Sequence, residues 1–183
     1  MTRYYFEGRL IRLRAVEPSD YDFYVGWIDS QSERQSYFID FPQSSVNTRE
    51  WVENEARRKP QNDEVRFHIE TLDGQSVGTI NTHSTNPRWG TFMYGVAVQR
   101  QHQGKGYGAE AVEIVLRYFF KERRYQKVNA EVYAFNEGSI RFHERLGFTL
   151  EGRMRRMVYT DGAFHDILLY GMTVEEFQAR WEE

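Results

Sequence analysis

Residues 96–109 read Val-Ala-Val-Gln-Arg-Gln-His-Gln-Gly-Lys-Gly-Tyr-Gly-Ala, with glycines at alternate positions 104, 106 and 108. Lacking Cβ atoms, Gly104, Gly106 and Gly108 let backbone N–H groups come close to an anion, and a helix beginning there adds partial positive charge. Each glycine costs roughly 0.5–1 kcal/mol of backbone entropy, a cost an idle connection has no reason to carry. A phosphate is the ligand this loop suits. The spacing excludes two familiar phosphate loops. A P-loop needs four residues between its glycines and Ser or Thr after the lysine, whereas Lys105 is followed by Gly106. A dinucleotide fingerprint places its first glycine directly off a strand near the start of a βαβ unit, and here five polar residues follow Val98 before Gly104.

Other chemistry-bearing patterns are weaker. Gly74-Gln75-Ser76-Val77-Gly78 matches the Gly-x-Ser-x-Gly of hydrolases, but the nucleophile elbow needs strand, turn and helix. Asp73-Gly74 reads instead as a type I′ hairpin turn with a strand after it. The five histidines, at 68, 83, 102, 143 and 165, show no metal-ligand spacing, and there is no cysteine. No metal, disulfide, catalytic thiol or acyl-cysteine is therefore expected.

Gln101-x-x-Gly104-x-Gly106 resembles the [Q/R]-x-x-G-x-[G/A] signature of the GNAT superfamily of acetyl-CoA-dependent N-acetyltransferases. A second segment, Asn136-Glu137-Gly138-Ser139-Ile140-Arg141-Phe142-His143-Glu144-Arg145-Leu146-Gly147-Phe148, is similar to that family's N-x-x-[A/S]-I-x-x-Y-E-[K/R]-L-G-F. Glu151 to Arg155 and Asp161 to Asp166 resemble the branch that contains ribosomal-protein N-terminal and spermidine acetyltransferases. The resemblance implies one α/β (α+β) domain over residues 1–183: a mixed, mostly antiparallel sheet of about seven strands with one splayed pair, flanked by about four helices. It also implies acetyl-CoA as cosubstrate. The strand Val96, Ala97, Val98, the loop Gln103, Gly104, Lys105, Gly106, Tyr107, Gly108, and Asn136 would hold it. Gly95 would sit at a bulge that opens the gap.

The implied reaction is attack of a neutral amine on a thioester, giving transfer to a small-molecule amine or a protein N-terminus. An alkylammonium of pKa about 10.4 must lose its proton at a cost of about 4.6 kcal/mol at pH 7. The family's acid near the start of the cofactor strand is missing from Thr91-Phe92-Met93-Tyr94, which leaves Glu131 or His83 as base. His143 stands where the family has its tyrosine acid, and imidazole can donate a proton near neutrality. Val96 N–H would polarise the carbonyl. Glu33, Tyr37, Phe38 and Asp40 would meet the acceptor. The competing reading, motivated by the missing acid and the exchanged tyrosine, is a coenzyme A-binding regulatory module with little transfer activity.

These residues need elements to hold them. Arg9–Val16 alternates as a first strand, and Ser19-Asp20 caps a helix with Tyr21, Tyr24, Val25 and Ile28 on one face. Asn47 and Glu50 start a second helix that ends near Pro60. Val65–Ile69, Val77–Thr79 and Phe92–Val98 read as strands; Val112, Val115, Leu116, Phe119 and Phe120 mark the strongest helix. Then follow a strand at Val128–Val132, a helix at Ser139–Leu146, and two strands joined at Asp161-Gly162. The 183 residues carry 40% apolar and 16% aromatic residues, which excludes disorder, and the short apolar runs exclude a membrane span. A net charge of −3 argues against nucleic acid as partner. Met1–Gly8 lacks the apolar run of a secretory signal, so a cytoplasmic location is expected. The branch also implies a homodimer.

Overall fold

Alternation along each strand decides what it buries. Ile11 and Leu13 are fully buried on one face of the first strand, while Arg12 and Arg14 point to the other. The computed structural model describes residues 4–25 and 41–181. Among them run β1 (Ile11–Arg14), α1 (Tyr21–Val25), α2 (Ser45–Arg57), β2 (Arg66–Thr71), β3 (Ser76–Asn86), β4 (Thr91–Val98), α3 (Tyr107–Lys121), β5 (Lys127–Tyr133), α4 (Glu137–Leu146), β6 (Thr149–Thr160), β7 (Ala163–Thr173) and α5 (Val174–Trp181). The strands form one seven-stranded sheet in the order β1-β2-β3-β4-β5-β7-β6. Among the described strands β4 and β5 alone pair in parallel, with α3 carrying the chain across between them, whereas β1 and β2, also joined through helices, pair antiparallel.

The main core lies between one face of this sheet and α3, α4 and α5. The expected apolar stripe of α3 is buried in full, and Phe119 stacks on Phe92 of β4 with ring centroids 4.3 Å apart. On the opposite face, Val16, Tyr24 and Val52 make a smaller cluster that seats α1 and α2 over β2. His68 of β2 faces this cluster, 4.7 Å from the Phe23 ring, while its neighbour Ile69 joins the main core. The Leu146-Gly147-Phe148 end of α4 is a left-handed stop: Gly147 has φ +89°, and Phe148 N–H donates to the His143 carbonyl.

Several expectations are corrected. The cap of α2 is Ser44, whose Oγ accepts from Asn47 N–H, so Asn47 lies inside the helix. The β2–β3 turn is not type I′. Of its residues only Gly74 has positive φ, and Thr71 and Gln75 close a three-residue loop ending in that glycine. Gly95 is not bulged: the β3–β4 register is unbroken from Gly78↔Val98 to His83↔Met93, and shifts only before Asn86↔Thr91. The first strand is shorter than Arg9–Val16, running Ile11–Arg14, with the N–H groups of Arg9 and Leu10 turned to Glu110. Helix α5, whose Phe177 is buried, brings the helices among the described residues to five where about four were expected.

Candidate active site

The β4–β5 ladder contains Thr91↔Lys127, Phe92↔Val128 and Met93↔Asn129 and then stops, although β4 runs on to Val98 and β5 to Tyr133. Beyond Met93 the two strands part. Which backbone groups face the opening follows from alternation, because Gln99 N–H donates to Val77 of β3 at 2.9 Å. Ala97 and Gly95 therefore also turn their N–H and C=O groups to β3, and Val98, Val96 and Tyr94 turn theirs to the opening. Gln103 Nε2 donates to the Val98 carbonyl at 3.0 Å, and Val96 presents an N–H and a C=O. An extended ligand carrying amides can pair with such an edge.

This edge leads into the glycine loop. A 3-10 turn at Arg100–His102 precedes Gly104 and Gly106, whose φ values of +75° and +87° are open to glycine and strained for other residues. Gly106 is the N-cap of α3 and offers no capping side chain, so the first-turn N–H groups are available to an anion. Gly108 has no positive φ; a Cβ there would make ordinary contact with Val98 and Phe142. Lys105 is exposed beside the loop, whereas His102 is buried with Nδ1 unpartnered, and burial and then Lys105 hold its pKa below the usual value.

An acid in the first turn of α3 would repel a phosphate. Glu110 instead turns its carboxylate onto the start of β1, accepting N–H groups of Arg9, Leu10 and Ile11 at 2.6, 2.8 and 2.9 Å. A Cβ on Gly8 would collide with that carboxylate, which explains a glycine there. The anchor also brings Leu10 against Gly106, where a Cβ would lie 3.3 Å from Leu10 Cδ1. Sequence reasoning missed Glu110 and Gly8, because neither lies near the other in the chain.

His143 comes to the opening from α4. It is buried between Tyr94, Phe148 and Tyr170, with ring centroids 5.8, 5.2 and 5.8 Å away. Its Nδ1 lies 2.8 Å from the Ser139 carbonyl, which can only accept, so Nδ1 carries the hydrogen. Burial lowers its pKa, and the Ser139 carbonyl offsets this only in part. At neutral pH the ring is uncharged and its N–H is committed. As a ready proton donor, the role expected from its position, His143 must first gain a proton at Nε2. Tyr94, the first β4 residue past the last pair, has a buried hydroxyl with no hydrogen-bond partner among the described residues, and burial raises its pKa well above the ordinary phenol range. Asn136 caps α4, its Oδ1 accepting from Ser139 N–H at 3.0 Å.

Glu131 is exposed on β5, on the sheet face opposite the α3 core. His83 lies on that same face of β3, with Nδ1 3.1 Å from Ser84 Oγ. Glu33, Tyr37, Phe38 and Asp40 lie outside the described residues. Beneath α1, Arg14 binds Asp20 through both carboxylate oxygens at 2.7 and 2.8 Å and Glu70 at 2.6 Å, and Arg12 also binds Glu70. Burial alone would raise the Asp20 and Glu70 pKa values, but the arginines outweigh it and both fall below the usual carboxylate values.

The seven-stranded mixed sheet, with one parted parallel pair beside a glycine-capped helix N-terminus, offers room for an extended anionic ligand between two strands. The family model for the acetyltransferase (GNAT) domain matches residues 10–149, and the chain belongs to this family of acetyl-CoA-dependent N-acetyltransferases. It is 42% identical over 174 residues to the SPbeta prophage-derived uncharacterized N-acetyltransferase YokL of Bacillus subtilis, covering 95% of this chain and 96% of that one. It is 24% identical over 157 residues to the spermidine N(1)-acetyltransferase of Vibrio cholerae, covering 86% and 89%. Among solved structures, spermidine N-acetyltransferase from Vibrio cholerae in complex with CoA and spermine superposes with a TM-score of 0.78 at 20% identity, covering 91% of this chain and 97% of that one.

Proposed function

We propose that this chain, as a single catalytic unit, transfers the acetyl group of acetyl-CoA directly to a primary amine, with a small cationic amine as the favoured acceptor. The observation that carries this reading is the parted β4–β5 pair, with Val96 N–H turned into the opening and the open N-terminus of α3 at its end. Gly104, Gly106 and the α3 first turn fit a pyrophosphate, and the β4 edge fits the amides of the pantetheine arm. Acetyl-CoA supplies the activated acetyl thioester. Val96 N–H polarises the carbonyl, and Glu131 draws the proton from the acceptor nitrogen through water. His143 gives a proton to the departing sulfur only in the fraction protonated at Nε2. Without cysteine no acyl-cysteine can form, which fits direct transfer with acetyl-CoA and acceptor held together. The spermidine acetyltransferase relatives and the net charge of −3 support a cationic acceptor.

The test is release of free thiol from acetyl-CoA with spermidine, kanamycin and a tripeptide bearing a free N-terminus. Amine-dependent release, fastest with a cationic small molecule, is expected. Coenzyme A binding by calorimetry with no release from any amine would instead make the protein a binding module.

A further inference from the structure

Gly95 stands in β4 where a side chain would be crowded by one residue: a Cβ there would lie 3.2 Å from Asn81 Oδ1 and 4.0 Å from Asn81 Cγ. Asn81 is the direct partner of Gly95 in the antiparallel β3–β4 ladder. Its side chain therefore lies across the Gly95 backbone, on the face turned away from α3 and α4. The amide is half-buried and has no hydrogen-bond partner among the described residues. The same face carries Glu131. Counting on from Met93↔Asn129, Gly95 and Glu131 are the first same-face residues after the two strands part. The space left by the missing Cβ is thus taken by the Asn81 carbonyl oxygen, over the strand that borders the opening where the acceptor must arrive.

We propose that Asn81 is a positioning residue for the acceptor amine, and that Gly95 is glycine so that the Asn81 amide can lie over β4. The inference rests on the reading of the opening as the place of acetyl transfer. Asn81 Oδ1 accepts a hydrogen bond from one N–H of the attacking amine and so turns the nitrogen lone pair toward the thioester carbon. That lone pair forms the C–N bond, and the C–S bond breaks with its electron pair going to sulfur. One N–H proton leaves through water and the thiolate takes up a proton, giving amide and free thiol. Asn81 itself neither gains nor loses a proton. It provides a side-chain amide oxygen near the β4 edge, where residues 91–94 carry no acid.

The test uses the full chain and whichever of the three panel amines turns over fastest. Asn81→Ala is expected to lower kcat/KM for the amine by about tenfold, the value of one lost hydrogen bond. The acetyl-CoA dissociation constant and the melting temperature should be unchanged. Asn81→Asp, which keeps acceptor oxygens, is expected to retain more of the rate than the alanine variant. Gly95→Ala should displace the amide and lower the rate by itself, yet add little to Asn81→Ala in the double variant. An Asn81→Ala enzyme within twofold of the parent, or one that loses acetyl-CoA affinity or thermal stability in step with activity, overturns the proposal. Failure of the functional reading would show differently, as a parent protein that releases no thiol with any amine.

Discussion

Two of the three buried histidines differ in what can be measured of them. His68 is wholly inaccessible, and burial lowers its pKa to about 4, with Asp20 restoring only part of the loss. The sign follows from linkage. Between pH 6.5 and 4 the unfolded chain binds a proton at this position and the folded one does not, so the stability present above pH 6.5 is lost as pH falls toward 4. The loss is about 3 kcal/mol, and urea unfolding across that window is expected to show it, with a flatter slope in His68→Asn. The Asp20 and Glu70 contributions are lost at lower pH, because the arginines hold both carboxyls below their usual values. His143 touches activity instead. Its depressed pKa makes it a donor only in acid, so His143→Ala is expected to lower kcat most near pH 6 and least near pH 8. An effect that grew with pH would remove it as a proton donor. The residue's place in the second motif was legible from sequence; its bond to Ser139 and the rings around it were not.

At the scale of elements, the glycine loop and α3 are tied to a strand about a hundred residues earlier in the chain. Glu110 ties the start of β1 to α3 by accepting N–H groups of Arg9, Leu10 and Ile11. Glu110→Ala leaves all of these donors without the carboxylate and is expected to cost roughly 3 kcal/mol of unfolding free energy by urea titration, while Glu110→Gln, which keeps one acceptor oxygen, should cost less. Strand and helix positions were readable because their cause is local: a period of two or of 3.6 in apolar residues. The α3 stripe at Val112, Val115, Leu116, Phe119 and Phe120 is an example, and all five are buried. The ends of elements were less readable. Ser44 and Asn47 are both competent caps, and only the path of the chain into α2 decides for Ser44. Gly95 shows the same limit from the other side. A glycine inside a strand suggested a bulge, yet the register is regular there, and a side chain would crowd Asn81, its partner across the ladder.

For the whole molecule, the sequence by itself determined the family, the glycine loop ahead of α3 and the order of most elements. These depend on residue type and short spacing: glycines at 104 and 106, the Asn136 to Phe148 segment, alternation in strands and the absence of cysteine. Tertiary structure alone decided where β4 and β5 part, that Val96 rather than Ala97 faces the opening, that Glu110 serves β1, and that Asn81 lies over Gly95. Each of these is a register or a contact between distant segments. Register is fixed by the sum of packing across the sheet, and a one-residue slip would exchange the two faces without altering any local pattern.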